Sequence, residues 1–154
     1  MKTAVDREER FDFGKNWTKY STLIDSTKIT DAEQSLVTMF QVPDLIGKSF
    51  LDVGCGSGIF SLAAKNLGSE VYSFDIDSNS VSCTRKLKSS YYENDENWKI
   101  KSGSVLDREF IREVGLHDIV YCWGVSHHTG AMMKAFENLV STGEGRWTEY
   151  LSTI

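Results

Sequence analysis

Between Asn16 and Phe40 the apolar positions recur at helical spacing, and after Pro43 the period changes. Trp17, Tyr20 and Ile24 fall on one face of a segment running from Asn16 to Ser26. Thr30-x-x-Glu33 reads as a capping box, followed by Ala32, Leu36 and Phe40 on a common helix face. Pro43 ends that helix, because the residue before a proline is driven out of helical geometry. Ser49-Phe50-Leu51-Asp52-Val53 is then a short apolar strand that runs into Gly54-Cys55-Gly56-Ser57-Gly58. Ile59, Phe60, Leu62, Ala63 and Leu67 follow as a helix stopped at Gly68. Glu70 to Phe74 predicts a second strand ending at Asp75. Asp77 or Ser78 caps the next helix, with Val81, Leu87 and Tyr91 on its apolar face. A polar loop, 93–97, precedes a third, more amphipathic strand from Trp98 to Lys101. Phe110, Ile111 and Val114 give a short helix. Ile119 to Cys122 is a fourth strand, and Ala131 to Leu139 a last helix.

Strands and helices alternating at this spacing predict an α/β fold, a parallel sheet with helices on both faces. In such sheets ligands bind beyond the carboxyl ends of the strands, where strand order reverses. The glycine loop, Asp75, Ser104 and Trp123 all fall at those ends.

Composition narrows the class of protein. The 154 residues fit one domain, 1–154, with residues 1–14 a loose, charged segment. Apolar content of 40% and charged content of 25% are those of an ordinary globular chain. No apolar run is long enough to span a bilayer, and the first residues lack the apolar centre of a secretory signal. The net charge of −5 argues against a nucleic-acid partner, although a local basic patch around Arg85, Lys86 and Lys88 stays open. Cys55, Cys83 and Cys122 are odd in number and show no CxxC spacing, which favours free thiols and a cytoplasmic location.

Asp52-Val53-Gly54-Cys55-Gly56-Ser57-Gly58 resembles the cofactor loop of class I S-adenosylmethionine-dependent methyltransferases, an acidic residue followed by alternating glycines. The resemblance covers roughly residues 13–139. It implies a Rossmann-like doubly wound sheet with S-adenosylmethionine as cofactor, of which this chain carries strands one to four. The glycines leave no Cβ to keep a ligand away, and the N–H groups of the following helix suit the cofactor's carboxylate. Asp52 offers negative charge to its ammonium. A dinucleotide fingerprint would need glycine where Ile59 stands, and a P-loop would need Gly-Lys-Ser/Thr. A purely structural strand-to-helix turn is the plainer alternative.

Other positions follow from the resemblance. Asp75 is placed to accept hydrogen bonds from ribose hydroxyls, with Ile76 against the adenine. Relatives often read Gly-Asp-Ala-x-Asp where this chain has Gly103-Ser104-Val105-Leu106-Asp107. Ser104 replaces the acidic residue that contacts the adenine amino group, so the backbone of Val105 is the safer contact. Cys122-Trp123-Gly124-Val125-Ser126-His127-His128 resembles the segment after the fourth strand. It puts Trp123 in the cofactor pocket and His127 and His128 on the substrate side, where a histidine can serve as general base. Shaping a loop is the simpler role for both. No metal site is expected, since adjacent histidines diverge and no third ligand is evident. Phe13-Gly14-Lys15-Asn16-Trp17 resembles a segment that closes over the cofactor, where Trp17 shields the sulfonium. A core aromatic is the alternative.

After Leu139 the resemblance weakens, and strands five to seven have no counterpart before Ile154. The expectation is an incomplete domain whose fourth strand is an exposed edge prone to self-association. The leading expectation is an enzyme methylating a small-molecule or lipid-like acceptor. A non-catalytic cofactor-binding remnant or interaction module is the second reading, and an NAD-dependent oxidoreductase the third.

Overall fold

The computed structural model describes residues 22–122 together with 134, 137 and 138. The elements run α1 (Ser26–Phe40), β1 (Ser49–Val53), α2 (Ile59–Asn66), β2 (Glu70–Asp75), α3 (Ser78–Tyr91), β3 (Trp98–Ser102), α4 (Arg108–Val114) and β4 (Ile119–Tyr121). The four strands form one parallel sheet in the order β3-β2-β1-β4. The chain therefore winds outward from β1 through β2 to β3, then returns to the other side of β1. That reversal makes the carboxyl end of β1 the topological switch point of the sheet.

The period-two alternation of the strands sorts the core into two layers. On one face Phe50, Val71, Trp98 and Tyr121 pack under Ile29, Ala32 and Leu36 of α1 and Ile59, Leu62 and Ala63 of α2. On the other, Leu51, Val53, Phe74, Val120 and Cys122 pack with Val105 and with Ile111 and Val114 of α4. Both faces of the central strands are thus covered, as the near-continuous apolar run of β1 requires. No helix among the described residues is long and apolar enough to cross a membrane.

Three local expectations are corrected. The first helix starts at Ser26, with Asp25 as N-cap accepting a hydrogen bond from Lys28 N at 2.9 Å. Thr30 lies inside the helix, where its hydroxyl donates to the Ser26 carbonyl, so it competes for no cap. Tyr91 is exposed rather than on the apolar face of α3, which buries Ser80, Val81, Cys83 and Thr84. Arg85 and Lys88 do not form a free basic patch. Lys88 Nζ donates to the Trp98 carbonyl at 2.7 Å and Arg85 Nη2 to the Ile100 carbonyl at 3.3 Å. Because the Asn97 carbonyl faces β2, accepting from Val71 N, these alternate carbonyls point to the open side of β3. The two cations therefore cover a sheet edge that would otherwise invite pairing.

Candidate functional site

The glycine loop sits at the switch point and is tied down from below. Gly54 N and Cys55 N both donate to the Phe74 carbonyl, at 2.9 and 3.0 Å, and Gly58 N donates to the Cys55 carbonyl at 2.8 Å. Gly56 N donates to Asp75 Oδ2 at 3.1 Å, so the loop and the end of β2 form one unit. Most of the loop's N–H groups are thus spent inside the protein. A phosphate cradle needs them turned outward. Gly58, the N-cap of α2, has φ of +86°, and a Cβ there would lie 3.0 Å from the Thr84 Cα. Glycine at 58 is what lets α2 and α3 approach.

Two carboxyl groups flank the loop. Asp52 is 3% exposed, and its Oδ2 accepts from Ser61 Oγ at 2.6 Å. Burial pushes its carboxyl up to about 7; the Ser61 hydroxyl opposes the rise and the charge of Asp75 adds to it. Asp75 is also raised, by burial, against the pull of the Asp77 and Gly56 N–H groups. Its Oδ1 accepts from Asp77 N at 2.9 Å. Each Asp75 oxygen keeps a second lone pair for a ligand hydroxyl. No lysine or arginine bonds to either acid among the described residues, where the one ion pair is Lys65–Asp95.

The other expected positions divide. Asp77 takes the N-cap of α3, accepting from Asn79 N and Ser80 N, which leaves Asp75 free of that duty. Ile76 follows Asp75 and is 45% exposed, an apolar side chain open at the site. The Cys55 side chain is turned inward, its sulfur accepting from Thr84 Oγ1 at 3.2 Å. Burial, with the charges of Asp52 and Asp75, pushes its thiol well up, so it stays neutral. Ser104 spends its hydroxyl as an acceptor for Leu106 N at 3.1 Å, closing a turn. Its O–H remains a donor and its second lone pair can still accept, without the charge of the acidic residue it replaces. Val105 is buried, and its carbonyl accepts from Asn138 Nδ2 at 2.8 Å. That tie to a residue far along the chain has no sequence signal. Trp17, Trp123, His127 and His128 lie outside the described residues.

The sequence reading also missed Ser61, Ser73 and Trp98. Ser61 Oγ and Ser73 Oγ are 2.6 Å apart, and Trp98 Nε1 donates to Ser73 Oγ at 3.0 Å. A buried polar seam therefore reaches Asp52 from the edge strand.

Comparison with known proteins agrees with this architecture. A family model described as a methyltransferase domain matches residues 51–142. A ribosomal protein L11 methyltransferase of Legionella pneumophila is 48% identical over 58 residues, 36% of this chain and 20% of that protein. A ubiquinone biosynthesis O-methyltransferase of Paraburkholderia xenovorans is 29% identical over 109 residues, 64% of this chain and 42% of that protein. The crystal structure of magnesium protoporphyrin IX methyltransferase from Synechocystis PCC 6803 with bound SAH superposes with a TM-score of 0.62 at 19% identity, covering 75% of this chain and 52% of that one. The chain thus spans about half or less of each of these proteins. A family match over more than half of the sequence, on a sheet wound in this order, places the chain in the methyltransferase domain family, with the class I fold of the S-adenosylmethionine-dependent enzymes.

Proposed function

We propose that this chain binds S-adenosylmethionine at the carboxyl ends of β1 and β2 and serves transfer of its methyl group to a small-molecule or lipid-like acceptor. The observation that carries this reading is a buried carboxyl group, Asp52, and a half-buried one, Asp75, flanking a glycine loop, with no cation bonded to either among the described residues. Such a corner suits a ligand with an ammonium group and ribose hydroxyls. It repels a pyrophosphate, which with Ile59 disfavours a dinucleotide. When bound, S-adenosylmethionine supplies an electrophilic methyl group on a positively charged sulfur. Asp52 holds the ammonium end, Asp75 the ribose hydroxyls, and Ile76 lies against the base. Ser104 and Val105 border the adenine, while Trp123 and Trp17 close the pocket, and His127 or His128 takes up a proton from an oxygen acceptor.

The acceptor class follows a relative that matches 109 residues of this chain, an O-methyltransferase of ubiquinone biosynthesis. The ribosomal protein relatives favour a protein acceptor, but over a shorter segment. Methyl-labelled cofactor offered with a metabolite extract and with folded ribosomal protein separates the two. Label appearing in protein alone would overturn the small-molecule reading. Cys55, Cys83 and Cys122 are buried and form no disulfide among the described residues, which supports a reducing, cytoplasmic setting.

Asp75→Ala is expected to weaken cofactor binding by roughly 1–3 kcal/mol, the cost of leaving buried hydrogen-bonding partners unpaired. The same loss for an analogue lacking the ribose hydroxyls would show that Asp75 acts only by holding the loop through Gly56.

Among the described residues β4 pairs only with β1, and no described strand pairs with its other side. We expect the chain alone to self-associate there and to turn over slowly. Joining it to the C-terminal half of a relative is expected to raise its melting temperature and suppress association. Sedimentation as a monomer across the micromolar range would contradict this.

A further inference from the structure

The polar seam beneath Asp52 has a fixed direction. Asp52 and Ser73 are register partners on neighbouring strands, and Trp98 lies on the next strand one residue pair further down the same face. Ser61 of α2 comes down onto that face between them. Ser61 and Ser73 are fully buried, and Trp98 is 1% exposed. An indole N–H can only donate, so Ser73 is an acceptor toward Trp98. The Ser73 hydrogen is then available to Ser61, and the Ser61 hydrogen to Asp52 Oδ2. Every donor points toward the carboxylate. The opposite polarity, a protonated Asp52 donating to Ser61, would turn the Ser61 hydrogen onto Ser73. Ser73 already accepts from Trp98, and its own hydrogen would lose its acceptor in the chain. The network is complete with Oδ2 unprotonated, and donors aimed in sequence at that oxygen favour the anion over the acid.

We propose that the Trp98–Ser73–Ser61 chain is a positioning relay that holds Asp52 as an oriented anion, leaves its second oxygen to the ligand, and so sets the affinity of the site for the cationic end of S-adenosylmethionine. The inference rests on the assignment of Asp52 to the cofactor's ammonium group made above. Without the relay, burial and the charge of Asp75 at the end of β2 favour the neutral acid. The other titratable groups facing Asp52 among the described residues are the Cys55 thiol in the loop and the Tyr121 phenol on β4, both neutral and neither a cation. Serines in a layer built of apolar side chains have no packing advantage over alanine, and the relay accounts for both.

The test titrates Asp52 itself, by 13C NMR of the side-chain carboxyl in protein labelled at aspartate, with Asp52→Asn identifying the signal. Ser73→Ala and Trp98→Phe interrupt the chain without touching the ligand. Each is expected to move the Asp52 midpoint upward by about half a pH unit or more. S-adenosylmethionine affinity, measured by calorimetry, is expected to fall about three- to tenfold at pH 6.5 and to recover toward the unmodified chain at pH 8.5. Ser61→Thr, which keeps the hydroxyl, is expected to titrate like the unmodified chain. Lower melting temperatures with an unmoved midpoint in both interrupted variants would reduce the seam to core packing and overturn the relay. Unchanged cofactor affinity in Asp52→Asn would instead overturn the ammonium assignment, with the relay still judged by the midpoint.

Discussion

Replacing Gly56 by valine is expected to abolish S-adenosylmethionine binding, with a loss of at least about a hundredfold. Gly56 has φ of +56°, in the left-handed region. A β-branched residue is a true outlier there, and holding a non-glycine residue in it costs roughly 1–3 kcal/mol. If the backbone relaxes to avoid that strain, the Gly56 N–H leaves Asp75 Oδ2 and the loop separates from β2. If it does not relax, a branched side chain occupies the face that the ligand must approach. Either outcome spoils the site, while the apolar layers beneath keep the fold. Calorimetry checks the affinity and thermal unfolding checks cooperativity. Unchanged affinity in a folded Gly56→Val protein would refute the location of the site.

Asp52→Asn is expected to weaken the cofactor and, at pH 8, to stabilise the free protein. The sign follows from proton linkage. The Asp52 carboxyl is raised from 3.8 to about 7 in the folded chain. Between those values the folded state binds a proton that the unfolded state has released, so stability falls as pH rises through that window. Above it the penalty is fully present, on the order of 2–4 kcal/mol, and asparagine removes it. The gain should shrink as pH is lowered through the window and vanish only well below 3.8, at about 3, where Asp52 is mostly neutral in both states. Urea unfolding at pH 8 and pH 5 measures the difference. A variant less stable than the unmodified chain by the same amount at both values would mean that Asp52 carries no burial penalty. Cofactor affinity of the unmodified chain is expected to fall as pH drops below about 7, and that dependence should vanish in Asp52→Asn.

Strong local signals made much of this structure legible. The apolar run of β1 breaking into the glycine loop, the capping Asp77 and the apolar spacing of α2 all act over a few residues, and each appears where the sequence puts it. Asp75 ends β2 where the sequence puts it, with the helix cap left to Asp77. Thr30 misled because a capping box and an ordinary helix interior share the same spacing; the stronger cap at Asp25 decided the boundary. Tyr91 misled because helical period alone does not say which face meets the sheet. The relay was invisible because Ser61 and Ser73 read as neutral fillers until strand register brings Ser73 beside Asp52 and helix packing adds Ser61. The role of Trp98 as a donor depends on the same register. Asn138 meets Val105 only through the fold.

Equilibrium binding of S-adenosylmethionine and of NAD to the purified chain tests the central claim most directly. Two acids flanking an inward-tied glycine loop, neither bonded to a cation among the described residues, predict saturable binding of S-adenosylmethionine at one site, competed by its demethylated product, with no detectable binding of NAD. Saturable binding of NAD, with none of S-adenosylmethionine, would contradict the assignment of this site.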